Sequence, residues 1–304
     1  MNAVTGDFTG GAPAAGCFLC ATDEGAPLFS EGIFTARRCG CGLVYIDPPA
    51  DTVAVDPTAD HHHRSYYARP AARRLSWLQE FVKSGRVLDV GCGEGEFAAA
   101  ARAAGYDVDG VDPSEQRAAI AEARVGIKVE RALVEEARLA PGAYDAVVHV
   151  DMLSHFPDPV AALTAMRAAL KPGGVMCFEV ALFGGLSPRW WRWAGRGNLP
   201  VHRWFYDEKA LEALLARAGF RIVGTRLYAI AASTIITSLG LRLFRRDALA
   251  GKVSHEPMVR GRMSGFYYNF QTWLRYGLGR WLPVGGPQVA FVAAVPISPA
   301  APTA

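Results

Sequence analysis

The stretch VLDVGCGEGEF, Val87 to Phe97, is a short apolar run that breaks into three glycines, Gly91, Gly93 and Gly95, and then returns to a helix-like pattern. A strand that closes on an acid, Asp89, and turns through glycines lets the backbone and the N-terminus of the next helix come close to a ligand. A nucleotide-like cofactor fits such a turn. The dinucleotide fingerprint wants glycines at the first, third and sixth positions, yet counting from Gly91 the sixth position is Glu96. A pyrophosphate would also meet Glu94 and Glu96, whereas a ligand with a cationic centre tolerates them.

Further along, VDGVDPS carries Asp112, ahead of Pro113, at the end of the next expected strand, where a carboxylate can accept bonds from both ribose hydroxyls. Ribose without a pyrophosphate points to S-adenosylmethionine. From Arg86 onward, β-branched runs alternate with helix-period segments, the signature of a parallel sheet covered on both faces. Strands are expected at Arg86 to Val90, Asp107 to Val111, Lys128 to Arg131, Tyr144 to Val150, Val175 to Val180, Arg221 to Arg226 and Gln288 to Val295. Ala-rich helices lie between them, including DPVAALTAMRAALKPGG, which is expected to stop at its Pro-Gly pair. The expected class is α/β: a Rossmann-like, doubly wound, seven-stranded sheet with its last strand antiparallel, a small N-terminal cysteine-rich β-subdomain and a helical lid insert.

The expected organisation is a disordered leader over 1–15, a zinc-ribbon-like subdomain over 16–55, a lid or linker helix over 56–84 and a core over 85–228. A Trp-rich insert, 181–201, interrupts that core; a helical substrate-lid insert follows at 229–286, then the last core strand at 287–296 and a disordered tail at 297–304. With the seventh strand antiparallel, both inserts leave the carboxyl edge of the sheet, where open α/β folds bind ligands. Their aromatic content suits an apolar or aromatic substrate.

The chain has 304 residues, 51% of them hydrophobic, and a formal net charge of +3 without long single-sign runs, so nucleic acid is not an expected partner. The N-terminus lacks a basic start and an apolar core, and the uncharged stretch Leu227 to Leu241 is shorter than the roughly 20 residues that span a bilayer. A cytoplasmic protein is expected. Trp190, Trp191 and Trp193 beside Arg189, Arg192 and Arg196 form an amphipathic patch suited to an interface, including peripheral contact with lipid. The oligomeric state is open.

VLDVGCGEGEF, GVDPS, YDAVVHVDMLSHFPDP, LKPGG and HRWFYDEKALEALLARAGF, in this order, resemble the class I S-adenosylmethionine-dependent methyltransferases from about Tyr67 to Phe220. Within that class the region around Val134 to Pro159 is most similar to the ubiquinone-biosynthesis O-methyltransferases. The resemblance implies that Gly91 and Gly93 face the methionine moiety and that Asp112 holds the ribose. It also implies that Val134 and Glu135 flank the adenine and that Val150 offers backbone contacts near the sulfonium. His155, in DMLSHF, corresponds to the histidine after the fourth strand, and His202, in NLPVHRWF, stands where many relatives carry one. Either histidine can serve as general base for a hydroxyl acceptor, His155 being preferred. Asp151 keeps the upstream acid with which the ubiquinone-type enzymes bind a divalent metal, but Ser154 replaces the adjacent one.

Three adjacent histidines in DHHHRSYY, Asp60 to Tyr67, cannot converge on one ion, and that run reads as a polar segment with Tyr66 or Tyr67 closing over the cofactor. Cys17, Cys20, Cys39 and Cys41 read as ligands of a structural zinc, the departure being a C-x-C second pair where C-x-x-C is usual. Reduced thiols packing a β-subdomain are the alternative. Cys92 and Cys177 read as packing residues. The expected function is methyl transfer to a small hydrophobic or aromatic acceptor, a secondary metabolite, quinone or lipid-like compound, most readily at oxygen. A sugar or nucleotide-sugar acceptor and a non-catalytic binding module are the alternatives.

Overall fold

The computed structural model describes residues 16–50, 63–188, 190–191, 199–230, 269–270, 272–281 and 286–297. The leader, most of the 229–286 insert, Arg189, Arg192, Trp193, Arg196 and the side chains of the Asp60 to Tyr67 run lie outside these described residues.

Three short strands open the fold: β1 (Ala26–Glu31), β2 (Phe34–Arg38) and β3 (Val44–Asp47). Helix α1 (His63–Phe81) leads into the alternating region of β4 (Arg86–Val90), α2 (Glu96–Ala103), β5 (Asp107–Val111), α3 (Glu115–Val125), β6 (Lys128–Glu130) and β7 (Tyr144–Val150). Then follow α4 (Pro159–Ala169), β8 (Leu170–Leu182), β9 (Trp204–Phe205), α5 (Glu208–Arg217), β10 (Phe220–Ala229) and β11 (Gln288–Pro296).

Local chemistry sets the helix ends. The Ser114 hydroxyl accepts from the Arg117 amide to start α3, and Gly126, in the left-handed region at φ 70°, ends it. Asp158 caps α4 with Pro159 at its first turn, and Asp207 caps α5.

The main sheet runs β10-β11-β8-β7-β4-β5-β6, and β11 pairs antiparallel with both β10 and β8. β8 and β10 therefore point the same way, and the chain leaves both at the carboxyl edge, as the expected topology requires. One element differs from expectation. LKPGG belongs to the strand, not to the end of α4: β7 pairs Tyr144 with Leu170 and then Ala146 with Val175, so residues 171–174 bulge out of the ladder, with Gly173 at φ 80°.

Apolar layers cover both faces. Leu163 and Met166 of α4 pack with Leu214 of α5 on one side, and Trp77 and Leu78 of α1 with Phe97 of α2 on the other. Fully burying one such side chain contributes about 1.5–3 kcal/mol, and Leu163→Ala would cost about 2–5 kcal/mol through the cavity it leaves. β1, β2 and β3 do not form a free-standing module. Their sheet is completed by β9, which lies much further along the chain than the end of β3, Val44 pairing with Phe205 and Tyr45 with Trp204. Among the described residues, no helix is long and apolar enough to cross a membrane.

Candidate active site

The glycine turn is built from three left-handed residues, Gly91 at φ 71°, Gly93 at 54° and Gly95 at 81°. A Cβ on Gly91 would lie 2.5 Å from Sδ of Met152, and one on Gly95 would lie 2.9 Å from Val125, so both glycines answer close approach. A Cβ on Gly93 would meet nothing within 4 Å, so that side of the turn faces open space. Asp112 fastens the turn. Its carboxylate accepts from the Gly93 amide at 2.8 Å and from the Ser114 amide at 2.9 Å, so it joins the turn to the start of α3. Ser114, not Asp112, is the helix cap. Each oxygen of Asp112 keeps acceptor capacity beyond these bonds, which a ribose hydroxyl can use. Burial raises the Asp112 pKa in spite of the two amides.

Asp89 is fully enclosed at the end of β4, and its Oδ2 has no hydrogen-bond partner. Burial, with the charges of Asp112 and Glu96, pushes its carboxyl up to about 7. A buried carboxyl with one unpartnered oxygen beside a glycine turn suits a cationic guest, and the sulfonium and ammonium of S-adenosylmethionine meet that requirement. Pro113 is half-buried behind Asp112. Val134 packs into the layer of Val90 and Val111, and Glu135 carries a buried Oε2 without a partner, its pKa raised by burial.

Beyond Val150, the half-buried last residue of β7, the chain turns through Asp151 at φ 55°, an uncommon left-handed conformation for a non-glycine residue. The Asp151 amide donates to the Glu179 carbonyl at 3.0 Å. Asp151 is exposed to solvent yet closely surrounded by protein. That raises its pKa, while attraction to His202, Arg275 and Arg74 opposes the rise. His155 and His202 meet with ring centroids 4.7 Å apart. Nδ1 of His155 donates to the Val201 carbonyl at 3.0 Å, which leaves Nε2 as the acceptor nitrogen of a neutral ring. Burial, reinforced by repulsion from His202, holds His155 down at about 4. Both candidate bases are thus brought to one place, at the carboxyl edge beside the end of β7.

Sequence reasoning missed a buried ionic group on the opposite wall. Nε of Arg74 in α1 donates to Glu179 Oε2 at 2.6 Å, and the Tyr276 hydroxyl donates to Glu179 Oε1 at 2.8 Å. Burial opposes both charges, but each partner more than offsets it: Arg74 is held above its ordinary pKa and Glu179 below. Glu179, a lone acid in the apolar strand VMCFEVAL, was the available signal.

Around the cysteines, the four Sγ atoms lie within 4.8 Å of one another, with Cys17 and Cys41 at 3.5 Å. A tetrahedral zinc with bonds of about 2.3 Å separates its sulfurs by about 3.8 Å, so the C-x-C pair does not prevent a shared site. Cys20, hydrogen-bonded to Cys41, is pushed up to about 11, as expected of thiols sharing protons. Cys92 and Cys177 are buried packing residues, Cys92 lying beneath Gly110. Trp191 is buried and stacked on Phe29 at 4.6 Å, so this ring of the expected amphipathic patch is packing, not surface.

A family model described as a methyltransferase domain matches residues 60–225, more than half of the chain. The chain belongs to this methyltransferase domain family. Its fold is that of the class I S-adenosylmethionine-dependent methyltransferases. A ubiquinone biosynthesis O-methyltransferase of Bordetella avium (strain 197N) is 43% identical over 115 residues, 35% of this chain and 48% of the relative. The chain thus spans about half the length of the curated relatives it matches. Among solved structures, a putative sarcosine dimethylglycine methyltransferase from Galdieria sulphuraria aligns at 17% identity over 75% of this chain and 84% of its own, with a TM-score of 0.51. The [4+2]-cyclase SpnF aligns at 21% identity over 76% of this chain and 82% of its own, also at 0.51. The second likeness carries a separate lesson: a methyltransferase fold can support another activity, so the reaction has to be argued from side chains.

Proposed function

We propose that this methyltransferase transfers a methyl group from S-adenosylmethionine to a hydroxyl of a small hydrophobic or aromatic acceptor. The observation that carries the reading is the pairing of two half-sites at one sheet edge. An Asp112-fastened glycine turn with the buried Asp89 carboxyl, one oxygen of it unpartnered, forms the donor side, and Asp151, His202 and His155 form the acceptor side. The ubiquinone biosynthesis O-methyltransferase relatives support oxygen as the target atom and a quinone-like acceptor.

When bound, S-adenosylmethionine supplies a methyl carbon already activated by the sulfonium. The protein has to align the acceptor and remove its proton. Asp112 would orient the ribose, Asp89 would face the cationic end, and Val134 and Glu135 would flank the adenine. His202 is the better base. Asp151 lies within its electrostatic reach, whereas a His155 held at about 4 accepts a proton poorly near neutrality. His155 would serve as the neutral wall of the acceptor pocket. The four cysteines would hold a structural zinc, remote from proton transfer.

A sugar hydroxyl is the second acceptor class, favoured only by the polar lining of Asp151, His155 and His202. The test is transfer of isotopically labelled methyl to catechol, a hydroquinone and a free sugar, by the intact protein and His202→Ala. Labelled phenol ether from the intact protein alone supports the reading. No transfer to any of the three, despite tight donor binding, would move it toward a non-catalytic module.

A further inference from the structure

We infer that the cysteine subdomain is a positioning part of the acceptor site: through β3 and β9 it fixes the segment that carries His202 and holds His155. The inference rests on the proposed role of that histidine pair. Segment 201–206 is bonded along its length to the loop after β7. His155 donates to the Val201 carbonyl at 3.0 Å, and the Arg203 amide donates to the Ser154 carbonyl at 2.8 Å. Trp204 Nε1 donates to the Phe156 carbonyl at 2.8 Å, and the Tyr206 hydroxyl to the Leu153 carbonyl at 3.2 Å. Loop and segment therefore move as one body.

That body is held from the other side by the cysteine subdomain. Residues 204 and 205 are the fourth strand of its sheet, and the Phe18 ring, inside the first cysteine pair, stands edge-on to Trp204 at 4.8 Å. Arg203 reaches back to the Ala50 carbonyl at 2.8 Å. Both ends of α5 are engaged as well. A Cβ on Gly42, next to Cys41, would strike the Asp207 carboxylate that caps the helix, and Arg217 in its last turn donates to the Phe18 carbonyl at 2.7 Å. Cys17 and Cys39 share one apolar cluster with Leu153, Phe156, Trp204 and Tyr206.

A two-residue strand has little stability of its own, so the order of β9 depends on the sheet that receives it. That sheet is a small unit of the kind a structural metal stabilises. The donor half is anchored elsewhere. Gly91 bonds to the Val111 carbonyl, Gly93 to Asp112 and Asp112 to the Glu130 carbonyl, all at the carboxyl ends of β4, β5 and β6. Loss of the metal should therefore loosen the acceptor half and spare the donor half.

The test compares the full chain reconstituted with zinc and stripped of it, by hydrogen exchange and by calorimetric titration with S-adenosylhomocysteine. Stripping should speed exchange at least tenfold in 201–206 and 153–156 as well as in 16–47, while 87–97 and the S-adenosylhomocysteine affinity change less than twofold. Phe18→Ala, which keeps all four cysteines, should retain the metal yet show the same rise in 201–206, and Phe18→Tyr should reverse it. With catechol as acceptor, Phe18→Ala should lower kcat at least tenfold at unchanged KM for S-adenosylmethionine. Faster exchange confined to 16–47, equal loss of donor affinity, or no response to zinc would each overturn the inference. Absence of turnover in the intact protein would count against the proposed function, while the exchange comparison still decides this one.

Discussion

His155 and His202, 47 positions apart in the chain, face each other with ring centroids 4.7 Å apart, yet they sit in unequal electrostatic surroundings. Burial and its neighbour's charge depress His155, whereas Asp151 attracts His202. Removal of the attracted ring should cost more. His202→Ala should lower kcat by about 10²–10⁴-fold, and His155→Ala by no more than about tenfold, with donor affinity retained in both. Steady-state kinetics with donor titration on each variant checks this. Equal losses would restore His155 as the preferred base.

Asp89 gives a proton-linked prediction for the donor side. Its carboxyl, raised to about 7, is largely protonated in the free protein at about pH 6, and a cationic ligand nearby favours the carboxylate. Donor binding at about pH 6 should release a proton, and binding at about pH 9 should not. Calorimetry in two buffers of different ionisation enthalpy measures the release directly, and Asp89→Asn should abolish it.

His149 gives a stability prediction. The ring is fully buried in β7, stacks on Phe178 at 4.6 Å and has no partner at either nitrogen, and burial holds its pKa down at about 3. An unfolded histidine takes up its proton near pH 6.5, so the unfolded state binds more protons between these values. The stability contributed by neutral His149 is full above about 6.5 and lost as pH falls toward 3. His149→Phe keeps the stacking and should flatten this slope in urea unfolding measured across the window.

Arg74, Glu179 and Tyr276 join α1, β8 and the helical end of the second insert. Tyr276→Phe removes one hydrogen bond and should cost about 0.5–1.5 kcal/mol. Glu179→Gln strands a buried guanidinium and should cost about 3–5 kcal/mol. Thermal unfolding of the two variants should separate them clearly. Near-equal melting points would mean that the ion pair contributes little.

How far the sequence could be read follows from what is local. The turn at Gly91, Gly93 and Gly95 was legible because positive φ and close approach leave few alternatives to glycine, and Asp112 because it closes a strand. LKPGG misled because Pro-Gly ordinarily ends a helix, whereas here it bulges within one strand. β9 was invisible: two residues carry no periodicity, and their partner β3 lies far back in the chain. The proposed shift of the base from His155 to His202 has a similar origin, since Asp151 reaches His202 only after the chain folds back. Tyr276 could not have been singled out, because its partner Glu179 is almost a hundred residues away, with β9, α5, β10 and most of the second insert between them.

The central claim is that the Asp112-fastened glycine turn binds S-adenosylmethionine, and calorimetric titration of the intact protein and Asp112→Ala with S-adenosylhomocysteine tests it most directly. The account predicts saturable binding at one site per chain, lost in the variant while its thermal unfolding remains cooperative. No heat of binding to the intact protein, or undiminished affinity in Asp112→Ala, would contradict it.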